Sequence, residues 1–220
     1  MFSIEDLKGK AFQQIDSRAE EIINLSKEIL VNPEPGFREV KTSALVSKKF
    51  SELGIPFRSG LALTGVKGEI SAANPGPTLA LIGELDSLIV NEHPFADANT
   101  SAAHACGHHC QIGMLIGAAI GLNLPDILST LSGRLVFMAV PAEEYIEIEY
   151  RNSLRTDGKI EFLGGKPELI KLGEFDDVDM AMMVHTTSTE SEGQLCLSGT
   201  NNGTVAKKIQ FIGKGSHAGG

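Results

Sequence analysis

The sequence predicts an α/β protein built on a mainly parallel central sheet with flanking helices. Two observations carry that prediction. Three short runs, TLALIGELD (Thr78 to Asp86), RLVFMAV (Arg134 to Val140) and DMAMMVH (Asp179 to His185), are almost continuously apolar, as strands buried on both faces are. Between them lie stretches with helical spacing, and strands alternating with helices are the mark of parallel α/β architecture.

Taken in order, Asp16 to Leu30 reads as a helix through Ile22, Ile23, Leu25, Ile29 and Leu30, stopped by Asn32, Pro33, Pro35 and Gly36. Val40 to Leu53 repeats the pattern with Ala44, Leu45, Val46 and Phe50. Gly60 to Ile70 reads as a strand with irregular flanks, and AANPGP (Ala72 to Pro77) as a turn. Gln111 to Leu124 has helical spacing and small residues for close packing, limited by Pro125. Pro167 to Leu172 is a short helix before the third strand. GTNNG (Gly199 to Gly203) then breaks the pattern, and VAKKIQFIG alternates like a half-exposed strand.

Composition narrows the function. The chain has 220 residues, an ordinary apolar share of 42% and no low-complexity segment, which describes a globular protein. A net charge of −9 disfavours broad nucleic-acid contact and supplies no polybasic membrane anchor. The N-terminus does not read as a signal peptide, and no run is long enough to span a bilayer. Cys106, Cys110 and Cys196 are an odd count with two beside histidines, so a cytoplasmic, reducing setting is expected.

Ligands in parallel sheets bind at the carboxyl ends of the strands. Here the first strand ends in Glu84 and Asp86, the second runs into Glu143 and Glu144, and the third ends in His185. HACGHHC (His104 to Cys110) opens the helix after the first. Thiolate, imidazole and carboxylate groups from four segments thus meet one sheet edge, and these are the donors zinc takes. Gly107 lets Cys106 and His108 face one ion. Of two adjacent glutamates, one can bind metal while its neighbour acts as general base. Taken singly, each residue has a plainer reading: a helix-capping carboxylate, a satisfied core histidine, a small buried thiol. Two rival chemistries stay open, a structural zinc knot with Cys110 as fourth ligand and a Cys106 nucleophile with a histidine base.

HACGHH, PAEE, AMMVH and GKGSHAGG, in this order, resemble the M20 family of metallopeptidases and amidohydrolases. NPEPGFREVKTS (Asn32 to Ser43) resembles that family's early loop and second helix. GGKPELIKLGEFDDVDMAMMVH is similar to its branch with the aminobenzoyl-glutamate hydrolases and the M20 dipeptidases. The resemblance implies a zinc-exopeptidase-like catalytic domain over residues 1–200 and the first strand of an α+β lid or dimerisation domain over residues 201–220. It implies Cys106, His108, Glu144 and His185 as metal ligands, Glu143 as general base, Asp86 as the second acid of the family's Asp-x-Asp segment, placed to orient an imidazole or bridge the ions, and His217 as a substrate-binding residue of the lid. It also implies one or two zinc ions, with manganese or cobalt as substitutes, a small amide or dipeptide substrate, and a homodimer at full length. Glu84 stands where relatives carry aspartate, and His109 where many carry Asp or Asn. The family's chains are much longer, with a last histidine ligand beyond the segments matched here, so an inactive, metal-binding or assembly fragment is the alternative expectation.

Overall fold

The computed structural model describes residues 2–187, 203, 207, 209, 211–217 and 219. It divides into two compact units, Met1–Thr186 and Thr187–Gly220. The expected turn at 199–203 and strand from Val205 fall largely outside the described residues, as does Cys196. In the second unit His217 is exposed, and its Nδ1 accepts the Gly219 N–H at 3.1 Å.

The first unit opens with α1 (Ile4–Ser17) and α2 (Ala19–Leu30). Ser3 and Asp6 cap each other's backbone N–H groups at the start of α1, a capping box. The sequence pattern located α2 but not α1, in which no residue is buried. Then come α3 (Val40–Glu52), β1 (Phe57–Leu61) and β2 (Gly65–Ser71). The irregular strand expected over Gly60 to Ile70 is thus a hairpin, turned by Ala62 and Leu63 at φ of 45° and 77°. β3 (Asn74–Glu84) starts inside the expected turn, and its register against β6 (Ser132–Val140) shifts between Asn74 and Thr78.

Two short strands, β4 (Leu88–Ile89) and β5 (Ala102–Ala103), pair before α4 (His108–Leu122) and α5 (Pro125–Leu128). After β6 come α6 (Ile148–Thr156), α7 (Gly165–Lys171) and β7 (Met180–Met183). The main sheet has the order β1-β2-β6-β3-β7. β6, β3 and β7 are parallel, as expected, and the β1–β2 hairpin extends them antiparallel on one side.

β6 shows why the apolar runs are continuous. Its side chains alternate between faces, so Leu135, Phe137 and Ala139 join a core with Leu25, Ile29, Val46, Phe50, Ile112 and Ile116. Val136, Met138 and Val140 join a second core with Phe37, Ala80, Leu154 and Leu169. β7 departs from expectation. It is apolar yet exposed, with Met180 at 50% and Met182 at 58%, because among the described residues it lies at the sheet edge beside β3 alone. Among the described residues no helix is long and apolar enough to cross a membrane.

Candidate metal centre

The register of the parallel strands assembles the site. Glu84 pairs with Val140, and Ile82 with Met183, so Glu84, the segment after Val140 and His185 reach one sheet edge together. α4 delivers its first turn to the same edge. Gly107, at φ 89°, is its N-cap, and a Cβ there would lie 2.2 Å from Thr186 Oγ1. That hydroxyl donates to the Cys106 carbonyl at 3.0 Å, fixing the backbone between Cys106 and His108. A side chain at 107 would break this contact and strain the left-handed turn.

His108 is 1% exposed and is the hub. Its Nδ1 lies 2.7 Å from the Asp86 backbone carbonyl, which can only accept, so Nδ1 carries the proton. Nε2 then faces Glu84 Oε2 at 3.0 Å, Glu143 Oε2 at 3.9 Å and Glu144 Oε1 at 4.0 Å, yet makes no hydrogen bond of good geometry. Burial opposes the imidazolium, but with no metal ion bound the polar groups of Asp86, Cys106 and Glu84 gathered round the ring outweigh it and raise the pKa to about 12. Burial likewise opposes ionisation of Glu84, while His108 and Lys166 hold its carboxyl down to about 2. Glu143 is pushed upward by burial and by the Glu84 charge.

Cys106 Sγ lies 3.4 Å from His185 Nε2, and His185 stands edge-on to His108 with ring centres 6.0 Å apart. Two groups of side chains could hold an ion among the described residues: Cys106, His108 and His185, and Glu84, His108 and Glu143. The residues fit a metal. A buried imidazole nitrogen without a hydrogen bond points into a set of sulfur, nitrogen and oxygen donors, and its other nitrogen is tied back as metal-bound imidazoles are. Asp86 acts through its backbone carbonyl and through its carboxylate, whose Oδ1 lies 3.4 Å from His108 Nδ1. Its carboxylate, fully buried, accepts the Glu144 N–H at 3.0 Å.

The other residues of the histidine-rich stretch turn away. His104 is buried against His109, ring centres 5.6 Å apart, and burial drives its pKa down to about 3. Cys110 Sγ contacts His109 Nε2 at 3.3 Å, and burial pushes its thiol up. His217 lies in the second unit.

Three supporting residues were not visible in the sequence. Arg151, 1% exposed, donates to the carbonyls of Ala142 at 3.2 Å, Leu163 at 2.7 Å and Glu144, and stands 4.0 Å from Asp86. Glu39, fully buried, accepts the Ala142 N–H at 2.7 Å and the Thr64 hydroxyl at 2.6 Å. Between them they hold Ala142 at φ 49°, a conformation that costs a side-chain-bearing residue about 1–2 kcal/mol, and so aim the two glutamates that follow it. Lys166, the third, bonds to Glu84 Oε1 and lies 3.7 Å from Glu143 Oε1. The glycine pair before Lys166 was the available signal: a Cβ on Gly165 would sit 1.7 Å from the Pro141 carbonyl oxygen.

No family model matches the chain. In sequence it is 33% identical, over an alignment of 221 residues, to Thermostable carboxypeptidase 2 of Saccharolobus solfataricus, covering 96% of this chain and 51% of that protein. It is 28% identical over 203 residues to N-acetyl-L-cysteine deacetylase of Bacillus subtilis, covering 90% of this chain and 44% of the relative. In structure it resembles the Bacillus subtilis YXEP protein, a dinuclear metal binding peptidase from the M20 family. The TM-score is 0.61 and the identity 26%, covering 76% of this chain and 44% of the other. The chain spans about half the length of the curated relatives it matches, 51% for the first three. By sequence and by fold, the chain is a homologue of the amidohydrolases and peptidases of the M20 family.

Proposed function

We propose that the protein is a metal-dependent hydrolase that cleaves an amide or peptide bond next to a free carboxylate, with aminobenzoyl-glutamate, N-acyl amino acids and dipeptides as the candidate substrates. The observation that carries this reading is the buried His108 Nε2, free of hydrogen bonds and facing carboxylates, in one ligand group with Cys106 and His185. The carboxypeptidase and the N-acetyl-L-cysteine deacetylase among its relatives fit such a bond.

Cys106, His108, Glu144 and His185 would hold the ion, zinc or in its place manganese or cobalt. When bound, the ion supplies Lewis-acid polarisation of the scissile carbonyl and lowers the pKa of water at the site. Glu143 is the residue that moves protons. Burial and the neighbouring Glu84 raise its basicity above that of an ordinary carboxylate, as a base working near neutrality requires. It would take the proton of the attacking water and pass it to the leaving nitrogen. Asp86 keeps His108 in the tautomer that presents Nε2, and fixes the Glu144 backbone. His217 is assigned to the substrate's carbonyl or carboxylate. In this reading residues 1–200 belong to the catalytic domain and 201–220 begin a lid, and the enzyme is a cytoplasmic homodimer.

Zinc and manganese per chain, measured by elemental analysis on the protein and its Cys106→Ser variant, test the proposal. Near-stoichiometric metal that falls in the variant is expected. Equal content in both, or none in either, overturns it. The 3.4 Å contact between Cys106 and His185 also suits a thiolate–imidazole nucleophile. Hydrolysis of N-acyl amino acids that survives a chelator but not an alkylating reagent would favour that second reading.

A further inference from the structure

Cys106 and His185 reach the metal site from different segments, one just ahead of α4 and the other just past β7. Thr186 touches both. Its carbonyl lies 2.6 Å from His185 Nδ1 and can only accept, so that nitrogen carries a proton. Nε2 is left with the lone pair, and it is the nitrogen that stands 3.4 Å from Cys106 Sγ. His185 is thus held in the same tautomer as His108, whose Nδ1 is tied to the Asp86 carbonyl.

The side chain of Thr186 works on the other ligand. Its hydroxyl donates to the Cys106 carbonyl at 3.0 Å. Its Oγ1, Cγ2 and Cβ would lie 2.2, 3.0 and 3.1 Å from a Cβ on Gly107, so the threonine fills the space that glycine leaves. That contact falls on the left-handed residue between Cys106 and His108. Thr186 is exposed, so burial in the core does not account for the fit. One residue therefore touches the segments that carry all three members of the group Cys106, His108 and His185.

We propose that Thr186 is a positioning residue of the metal centre, its hydroxyl holding Cys106 within reach of the ion that His185, oriented by the same residue's carbonyl, also takes. The inference rests on the metal-site reading above and adds the part that brings two of its ligands into register. Partners that orient a metal ligand in this way are worth about tenfold to a hundredfold in metal affinity.

The test is a cobalt(II) titration of the chelator-stripped protein, read at the thiolate-to-cobalt charge-transfer band, with equilibrium dialysis against zinc beside it. Cys106→Ser in the otherwise unaltered protein should abolish the band, which assigns it to that thiolate. Thr186→Val keeps the branched shape without the hydroxyl. It should weaken both ions by about tenfold to a hundredfold and lose most of the band. Thr186→Ser, which keeps the hydroxyl, should restore both. Urea unfolding without metal should give one midpoint for the parent and both Thr186 variants. Parent-like band and affinity in Thr186→Val, a serine variant as weak as the valine one, or a lowered metal-free midpoint in Thr186→Val would each overturn the proposal and leave the metal site standing. No cobalt band in the unaltered protein, or a band that survives Cys106→Ser, would overturn both.

Discussion

Glu39 offers the sharpest test of how the site is held. It is fully buried, hydrogen bonded to Thr64 and to the Ala142 N–H, and its pKa is pushed from 4.5 to about 7. Burial is the main cause, the negative charge of Asp86 adds to it, and the hydrogen bonds oppose it. Between pH 4.5 and 7 the folded state therefore holds a proton that the unfolded chain has released. Stability falls as pH rises through that window and levels off above it. At about 1.4 kcal/mol per pH unit, the gap amounts to about 3 kcal/mol. Glu39→Gln keeps an acceptor for Ala142 and a polar partner for Thr64, but cannot ionise. Urea unfolding of both proteins, followed by circular dichroism from about pH 4.5 to 8, should show the variant gaining on the parent by about 3 kcal/mol as pH rises. A difference that stays constant across the range would refute the account of Glu39 as a carboxyl whose charge is disfavoured by burial.

Two further substitutions probe the same scaffold. Arg151→Met removes three hydrogen bonds to backbone carbonyls and leaves the buried Asp86 without its nearest guanidinium, so urea unfolding should show a loss of about 3–5 kcal/mol, against under about 1 kcal/mol for the exposed Arg155→Met. Gly107→Ala places a methyl group on Thr186 in a left-handed turn, costing about 1–2 kcal/mol before any clash. It should weaken zinc binding at least tenfold by dialysis, because the strain falls between Cys106 and His108.

Much of this arrangement could be read from the chain. β3 and β6 were legible because both of their faces are covered, leaving an unbroken apolar run as the signature. The same signature misled at β7, since an apolar run does not say whether a neighbour lies on each side. α1 and α6 stayed hidden for a different reason. α1 buries no residue, and α6 buries Arg151 along with Leu154, a face that looks like solvent in a sequence. Cys106, His108 and the glutamate pair stood out as metal donors at strand ends. Lys166 and Glu39 did not, because nothing local marks a lysine or glutamate as buried or aimed. Their roles come from long-range packing, through Gly165 on Pro141 and Glu39 on Ala142.

The exposed edge at β7 bears on how the chain behaves in a tube. Met180, Met182, Met183 and Val184 put apolar side chains beside a row of backbone groups, at an edge that carries no charged side chain over Met180 to Met183. Such an edge is a template for another strand, and among the described residues nothing along Met180 to Met183 repels a copy of itself. Warmed at high concentration, these molecules should stick faster than they refold, so that a melting scan reads the speed of clumping. Dilute, cold denaturant titrations are where this chain's equilibrium free energies can be read.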